Sequence, residues 1–152
     1  MVDIFDIKNK TCIITGAYSG IGKDVANFLE KIKCNVIRID KKYINKKNSF
    51  ILDLEDIDAI KKFSKKISLK YKNIDALVNI AGISDNNDFE KNISVNLTSN
   101  YYLTKSLVKL LKKTGNKTSS VINFTSLNAE LGFKSNPGYV ASKGGLKQLT
   151  KA

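Results

Sequence analysis

Short runs of β-branched and apolar residues alternate with longer amphipathic stretches along the chain, and this alternation restricts the fold more than any other feature. Five runs have the length of strands: Cys12–Thr15, Asn35–Ile39, Phe50–Leu52, Ala76–Asn79 and Val121–Phe124. Strands that alternate with helices across short connections indicate a parallel sheet with helices on both faces. We therefore predict one doubly wound α/β domain over residues 1–152.

The amphipathic stretches predict helices, because their apolar residues recur with a period near 3.6. The three predicted apolar faces consist of Ile21, Val25, Phe28, Leu29 and Ile32; of Ile57, Ile60, Phe63 and Ile67; and of Leu97, Tyr101, Leu103, Leu107, Leu110 and Leu111. A further helical pattern follows Pro137 and still continues at Ala152. The sequence thus resembles an interrupted chain, whose fifth strand we expect to form an exposed edge of the sheet.

The composition excludes several classes of chemistry. The 152-residue chain has no histidine, which excludes Ser-His-Asp hydrolysis and His-ligated zinc. Two cysteines, Cys12 and Cys34, are too few for a four-thiolate metal site, and we interpret them as buried apolar residues without a redox role. No apolar run reaches the roughly 18 residues of a membrane span, and the start MVDIFDIKNK lacks the apolar stretch of a signal peptide. We expect a cytoplasmic protein with neither a metal site nor a membrane contact.

The formal net charge of +12 suggests nucleic-acid binding, which we nevertheless do not predict. Of the 26 basic residues only Arg38 is an arginine. Base reading and bidentate phosphate contacts favour arginine over lysine. The lysines, such as Lys61, Lys62, Lys65 and Lys66, fall mostly on polar helix faces, so we interpret them as a solvated surface. Their field would still attract anionic ligands such as dinucleotides.

A glycine-rich turn follows the first predicted strand and opens the first helix, with the sequence Thr15-Gly16-Ala17-Tyr18-Ser19-Gly20-Ile21-Gly22. Its glycines permit a tight turn, a close backbone approach to a pyrophosphate and close packing of helix on strand. The helix N-terminus offers free N–H groups to a phosphate. A purely structural turn is the alternative, and it needs no third glycine in register.

Asp40, at the end of the second predicted strand, favours a dinucleotide site over a structural turn. A carboxylate at this place can accept hydrogen bonds from the adenosine ribose and repels a 2′-phosphate. We therefore predict NAD as the cofactor and regard NADP as the weaker alternative. Lys41 and Lys42 directly afterwards could help to tolerate the extra phosphate.

The spacing TGxxxGIG differs from GxGxxG and resembles the short-chain dehydrogenase/reductase family. Further motifs resemble the same family in the same order along the chain. They are Asp53-Leu54, Asn79-Ile80-Ala81-Gly82 with Ile80 in place of a second asparagine, Asn96, Ser126, and the YxxxK pair Tyr139 and Lys143. The resemblance covers essentially the whole chain and implies a Rossmann-like fold that transfers hydride between NAD(P) and a carbonyl or secondary alcohol. The stretch from Gly132 to Ala152 is most similar to reductases of alcohols, sugars and 3-oxoacyl groups.

The resemblance assigns an expected role to each motif residue. The residues expected to bind the cofactor are Gly16, Ser19, Gly20, Ile21, Gly22, Asp40, Asp53, Leu54, Asn79, Ala81, Gly82, Tyr139 and Lys143. Ser126 is expected to hydrogen-bond the substrate oxygen, and Asn96 to anchor a water in a proton relay behind Lys143. These residues, with Tyr139, form the expected catalytic set.

Tyr139 and Lys143 are four positions apart and therefore share one face of a helix. A phenol has an unperturbed pKa of roughly 10, too high to exchange protons readily at neutral pH. A nearby ammonium favours the charged form of a phenol. We therefore predict Tyr139 as the acid in ketone reduction and the base in alcohol oxidation, supported by Lys143.

Each of these residues also has a structural alternative. Tyr139 and Lys143 could be an exposed pair, Ser126 a cap of a helix or turn, and Asn96 a buried hydrogen-bonding residue. For Asp53 the cap of the following helix is as strong an interpretation as an adenine contact. The motifs in order favour the functional interpretation of the set.

Two departures from the family limit what the resemblance implies. The segment between Gly82 and Asn96 is short for the family, and the region that supplies the last strands and the substrate lid in relatives is absent. Two alternatives to an active oxidoreductase therefore stay open: a cofactor-binding module without turnover, and a fragment that does not fold stably alone.

A homo-oligomer through the fourth predicted helix, from about Lys91 to Lys113, is also expected by analogy with the family. Its cluster Tyr101-Tyr102-Leu103 would suit such a contact. The same cluster is equally compatible with ordinary core packing.

Overall fold

A computed structural model describes residues 7–42, 47–111 and 118–152 of the chain. Its five strands form one parallel sheet in the order β3-β2-β1-β4-β5. The strands are β1 (Thr11–Thr15), β2 (Asn35–Asp40), β3 (Ser49–Ile51), β4 (Ala76–Asn79) and β5 (Ser120–Asn123). The predicted doubly wound α/β fold is thereby confirmed, and each predicted strand lies within one residue of its observed limits.

Five α-helices and two short helical turns connect and cover the strands. They are α1 (Gly20–Lys31), α2 (Ile57–Lys70), α3 (Phe89–Ile93), a π-helical turn (Ser94–Thr98), α4 (Ser99–Leu111), a 3-10 turn (Leu127–Ala129) and α5 (Pro137–Lys151). None of the helices in the described ranges combines the length and the apolar character that crossing a membrane requires.

Two apolar layers hold the sheet between the helices. Side chains of adjacent strand residues point to opposite faces, so Ile13 and Ile37 pack against α2 and α4, whereas Ile14 and Val36 pack against α1. Strands covered on both faces must be apolar at nearly every position, which is why short continuous apolar runs identified them. The lysine-rich side of α2 faces solvent, as predicted.

The predicted apolar face of α1 is wrong at two of its five positions. Ile21 is 60% exposed and Phe28 is 57% exposed. The helix instead buries Gly22 and Ala26 against the sheet, with Val25 and Leu29 partly buried beside them. Small side chains let this helix approach β1 closely, so the stripe that packs does not contain the largest apolar residues.

The fourth predicted helix, from about Lys91 to Lys113, is interrupted. The structure has α3, the π-helical turn and then α4 in its place, and Lys113 lies outside the described residues. Within the cluster that suggested an oligomer contact, Leu103 is a fully buried core residue and Tyr102 packs partly against the core. Tyr101 is exposed and hydrogen-bonded to Lys105. The oligomer contact itself stays a prediction.

The β5 strand lies at one edge of the sheet, as expected. Within the described residues it pairs with β4 alone. Val121 and Ile122 are exposed, in contrast to the apolar residues of β1, β2 and β4. In the layer packed against α1, Cys12 and Cys34 are both buried, and Cys34 Sγ donates to Cys12 Sγ at 3.3 Å.

Candidate functional site

A cleft of about 590 Å³ opens where the carboxyl ends of β1, β2, β3 and β4 meet. In doubly wound sheets ligands bind in the crevice outside the carboxyl ends of the strands. Most of the residues predicted to bind a cofactor line this cleft: Gly16, Ser19, Gly20, Ile21, Gly22, Asp40, Asp53, Leu54, Ala81 and Gly82. The sequence motifs therefore converge on one place.

The glycine-rich turn requires glycine at two positions for different reasons. Gly16 has φ of +66°, which L side chains rarely adopt, and a Cβ atom there would lie 3.0 Å from the Cα of Ala81. At Gly22 a Cβ atom would lie 2.1 Å from the carbonyl oxygen of Gly16. The turn therefore folds back onto the first turn of α1. Ser19 stands at the N-cap of α1 but makes no side-chain cap bond to its amides.

Thr15 ties the turn to the end of β4, a role that the sequence interpretation missed. It is fully buried, and its hydroxyl accepts hydrogen bonds from the backbone amides of Ile80 and Ala81, both at 3.0 Å. These bonds fix the spacing between the glycine turn and the Ala81-Gly82 wall of the cleft. A threonine at a strand end gives no particular signal in a sequence, because the same residue is common inside strands.

Asp40 lies at the rim of the cleft, and its carboxylate is already fixed by the backbone. One oxygen accepts the amide of Tyr18 at 3.0 Å, and the other accepts the amide of Lys42 at 3.0 Å. Two ionised oxygens offer about four acceptor positions, so capacity remains for further donors. The bond to Tyr18 also joins β2 directly to the glycine-rich turn.

Asp53 does not cap the following helix, so that alternative is wrong. Asp56 caps α2, with its side chain accepting the amide of Ala59 at 2.9 Å. Asp53 lies on the cleft and pairs with Lys41 at 2.9 Å, and Lys41 also contacts Glu55 at 3.2 Å.

The hydrogen bonds that Lys41 donates to the carboxylates of Asp53 and Glu55 raise the pKa of Lys41. Partial burial opposes ionisation of Asp53, but the Lys41 ammonium and the Glu55 amide lower its pKa overall. At the end of the cleft where the adenine is predicted to bind, Lys41 therefore bridges the carboxylates of Asp53 and Glu55.

Lys143 reaches from α5 to Gly82 of the cleft wall, although it is not itself among the residues that line the cleft in the described part of the chain. It is buried, and burial lowers the pKa of its ammonium from the ordinary value. Its Nζ donates to the carbonyl oxygen of Phe124 at 2.8 Å and lies 5.7 Å from the ring centre of Tyr139. The exposed-pair alternative is therefore wrong for Lys143, whose ammonium is held inside the protein beside the half-buried phenol.

Asn96 crosslinks the end of β4 to α5 through a completely buried amide. Its Oδ1 accepts the amide of Ile83 at 2.8 Å, and its Nδ2 donates to the Ile83 carbonyl at 2.8 Å and to Ser142 Oγ at 3.0 Å. Both Nδ2 hydrogens are thus used within the protein. Gly82 lies beside this amide. A Cβ atom on residue 82 would lie 3.1 Å from Asn96 Oδ1 and 3.3 Å from Lys143 Nζ, so both side chains would have to shift to admit it. Asn96, Gly82 and Lys143 meet at one point.

Ser126 and Asn79 occupy different surroundings from each other. Ser126 follows β5 and caps the 3-10 turn, where its Oγ accepts the amide of Asn128 at 3.2 Å, and its hydroxyl hydrogen remains available as a donor. Asn79 does not line the cleft in the described part of the chain. Its side chain faces β5 and donates to Asn123 Oδ1 at 2.8 Å. In this structure Asn79 therefore supports the sheet rather than the cleft wall.

Asn136 sets the start of the helix that carries Tyr139 and Lys143, and it was not among the predicted site residues. It is buried, accepts the amide of Tyr139 at 2.8 Å as the N-cap of α5, and donates to Ser84 and Asn86 at 3.0 Å. An asparagine directly before a proline is a readable helix-start signal. The abundance of asparagine in this chain concealed it.

The start of α1 offers a place for an anionic phosphate. A Cβ atom added at Gly20 would meet nothing within 4 Å, and the first amides of α1 have no side-chain cap. Free helix amides and open space suit a phosphate group. Asp40 lines the same cleft, and Lys143 Nζ lies next to Gly82 of the cleft wall, 5.7 Å from the ring centre of Tyr139.

Comparison with known proteins places the chain in a family. The sequence model of the short chain dehydrogenase family matches residues 10–152. This chain belongs to the short chain dehydrogenase family. It is similar to 3-oxoacyl-[acyl-carrier-protein] reductase FabG of Buchnera aphidicola subsp. Schizaphis graminum, with 35% identity over 159 residues that cover 92% of this chain and 64% of that protein.

Solved structures share the fold. The ligand-free aldohexose dehydrogenase AldT of Thermoplasma acidophilum matches with a TM-score of 0.86 and 28% identity, over 96% of this chain and 60% of that one. The RhlG/NADP active-site complex of Pseudomonas aeruginosa matches with a TM-score of 0.86 over 98% of this chain and 66% of that one, and at 23% identity it shows the fold alone. The chain spans less than two thirds of the length of all three proteins.

Proposed function

We propose that this chain is an NAD-preferring oxidoreductase that transfers hydride to or from a carbonyl or secondary alcohol. The observation that carries the proposal is the meeting of the glycine-rich turn and Gly82 in one cleft, with Asn96 Oδ1 and Lys143 Nζ next to Gly82. Substrates of the 3-oxoacyl, sugar or small-alcohol type agree with what similar proteins are named for. We place the reaction in the cytoplasm, without nucleic acid or a membrane as partner.

The chain's own residues would hold the cofactor along the cleft. The pyrophosphate would lie against Gly16, Gly20 and Gly22, with the adenosine ribose at Asp40. A negative charge at Asp40 disfavours a 2′-phosphate, and Lys41, which could attract one, is engaged by Asp53 and Glu55. Both features support NAD over NADP.

The acid–base work would fall to α5 and the end of β5. The bound nicotinamide supplies or accepts the hydride. Tyr139 would donate its hydroxyl proton to the carbonyl oxygen during reduction and take it back during oxidation. Ser126 would donate a hydrogen bond to the same oxygen and stabilise its developing charge. Lys143 would favour the phenolate of Tyr139, and Asn96 would keep Lys143 in register through Gly82 and Ser142.

One observation favours cofactor binding without turnover as a second candidate. Leu127, Leu131 and Phe133, which follow Ser126, are all about half exposed or more. Transition-state charges are stabilised best in a site that excludes water. The substrate side of the cleft therefore lacks a cover within the described residues.

The test is a fluorescence titration of the purified chain with NADH and with NADPH, followed by turnover on carbonyl substrates. We expect saturable binding that is tighter for NADH. Tyr139→Phe should lower turnover by about 100-fold or more, the usual contribution of a general acid, and leave NADH affinity within about twofold. Tyr101→Phe, which removes an exposed tyrosine hydroxyl near the start of α4 that accepts only from Lys105 among the described residues, serves as the matched control.

Each outcome separates the candidates. Turnover that survives in Tyr139→Phe would show that another group donates the proton. Binding without turnover in the unaltered chain would favour the second candidate. Absence of binding by both nucleotides would overturn the proposal.

A further inference from the structure

Arg38 is the only arginine of the chain and is completely buried, a combination that surface charge does not explain. Its guanidinium forms a two-point ion pair with Glu30 of α1, with Nε to Oε1 at 2.9 Å and Nη2 to Oε2 at 3.0 Å. Nη2 also donates to Asn27 Oδ1 at 2.7 Å. These contacts neutralise the buried charge and account for three of its five N–H donors.

A fourth donor reaches the glycine-rich turn itself. Nη1 donates to the carbonyl oxygen of Ala17 at 2.7 Å, and the guanidinium carbon lies 5.4 Å from the ring centre of Tyr18. Ala17 and Tyr18 stand between Gly16 and Gly20, so Arg38 contacts the middle of the glycine-rich turn.

Three consecutive residues of β2 hold two consecutive residues of the turn. Ile39 accepts the amide of Ala17 through its backbone carbonyl at 3.2 Å, and Asp40 accepts the amide of Tyr18 at 3.0 Å. Arg38 donates to the Ala17 carbonyl, so the peptide group between Ala17 and Tyr18 is held at its C=O by Arg38 and at its N–H by Asp40. A carbonyl held in this way cannot rotate toward the cleft, where its negative end would oppose a phosphate.

We propose that Arg38 is a positioning residue for the pyrophosphate of the dinucleotide, acting through the Ala17 carbonyl while Glu30 neutralises it. The inference rests on the proposed function, because it concerns how the turn receives the cofactor. It predicts an effect confined to ligands with a diphosphate. Adenosine, which has no phosphate, should be insensitive to Arg38.

The test uses the double variant Arg38→Met/Glu30→Met, since replacing a buried ion pair by apolar side chains usually preserves the fold, whereas removing one partner leaves an unpaired charge. We expect its affinity for ADP and NADH to fall about tenfold. Loss of a residue that supports a binding group, as measured in other proteins at metal-binding sites, costs at least this much. Its affinity for adenosine should stay within about twofold, measured by competition and by NMR titration. A urea melt of each protein reports folding.

Ile37→Val is the matched control, because it alters the neighbouring buried position on the opposite face of β2 and does not touch the turn. It should lower the midpoint of the urea melt and leave ADP affinity unchanged. A double variant that binds ADP as the unaltered chain does, or that loses ADP and adenosine equally, would overturn the role of Arg38. If the unaltered chain binds neither ADP nor NADH, the proposed function itself fails and this inference with it.

Discussion

The two sides of the cleft differ in how completely this chain builds them. On the side of β1, β2 and β3, the glycine-rich turn is fixed by Thr15, Arg38 and Asp40, each through contacts with the backbone. On the side of β5, the strand and the segment after Ser126 are largely exposed. On this side α5 is tied to the rest of the site through Lys143 and Ser142.

The difference teaches that cofactor binding and substrate binding are separable in this fold. The glycine-rich turn and Asp40, which would hold most of the dinucleotide, are firmly fixed, whereas the segment after Ser126 is exposed. Changes in the turn should therefore act on affinity for the nucleotide, and equal changes in the exposed segment after Ser126 should leave it alone.

The largest expected effect comes from adding one methyl group to the glycine-rich turn. The same addition on the exposed side of the cleft is its control. Gly22→Ala places a Cβ atom 2.1 Å from the Gly16 carbonyl oxygen, so the turn must move away from α1. Overpacking of this kind costs roughly 1–3 kcal/mol, which corresponds to a loss of NADH affinity on the order of 100-fold. Gly132→Ala is the control on the open side, since nothing lies within 4 Å of its added Cβ. Equal NADH affinity in the two variants would erase the contrast between the sides.

A smaller effect should follow from changing one charge at the cleft rim. Asp40→Asn removes the repulsion between the carboxylate and a 2′-phosphate, which at about 4 Å is worth about 1 kcal/mol in bulk water and about 4 kcal/mol near a protein surface. The ratio of NADPH to NADH affinity should rise about tenfold, as measured by parallel fluorescence titrations. Asp58→Asn on the exposed face of α2 changes the net charge equally and should leave the ratio unaltered. An unchanged ratio in Asp40→Asn would remove Asp40 from cofactor selection.

The smallest effect concerns the lysine that joins the two sides. Burial lowers the pKa of Lys143 in the folded chain, so at alkaline pH the unfolded chain binds more protons at this residue. Its contribution to stability should therefore rise with pH, from the lowered folded pKa up to the ordinary lysine value of about 10.4.

Urea denaturation at several alkaline pH values measures this contribution as the difference between the unaltered chain and Lys143→Met. Lys147→Met, one turn further along α5 and paired with Glu130, is the control. A difference for Lys143→Met that stays constant with pH would mean that burial does not disfavour its charge.

Much of the fold followed from the sequence because buried parallel strands have a strong local pattern. The apolar runs around Ile13, Ile37 and Leu77 admit few other interpretations. The face of α1 did not follow, because Gly22 and Ala26 pack there for their small size, and size complementarity depends on the partner surface. Hydrophobic periodicity gives weight to Ile21 and Phe28 and none to glycine.

The site was predictable as a set of motifs but not as a network. Spacing placed Gly16, Asp40 and Lys143 in one fold, whereas the bonds of Asn96 to Ile83 and Ser142 depend on long-range contacts that no local pattern encodes. The π-helical turn around Asn96 was not predicted either. Such turns frequently occur at functional sites, but they carry no composition signal. Asn79 shows the opposite case, in which a motif predicted a contact that the structure lacks. Its motif predicted a cleft residue, but the register of β4 and β5 directs its side chain toward Asn123.

The edge of β5, which pairs with β4 alone within the described residues, makes ionic strength a controlling variable for the colloidal behaviour of this chain. Copies with a net charge of +12 repel one another, and this repulsion extends over a Debye length of about 10 Å at 0.1 M salt and about 3 Å at 1 M. Hydrogen-bonding groups on a strand edge act only at contact and are not weakened in the same way. Dilute buffers therefore keep copies dispersed, whereas concentrated salt removes the long-range barrier and favours strand-to-strand pairing between copies.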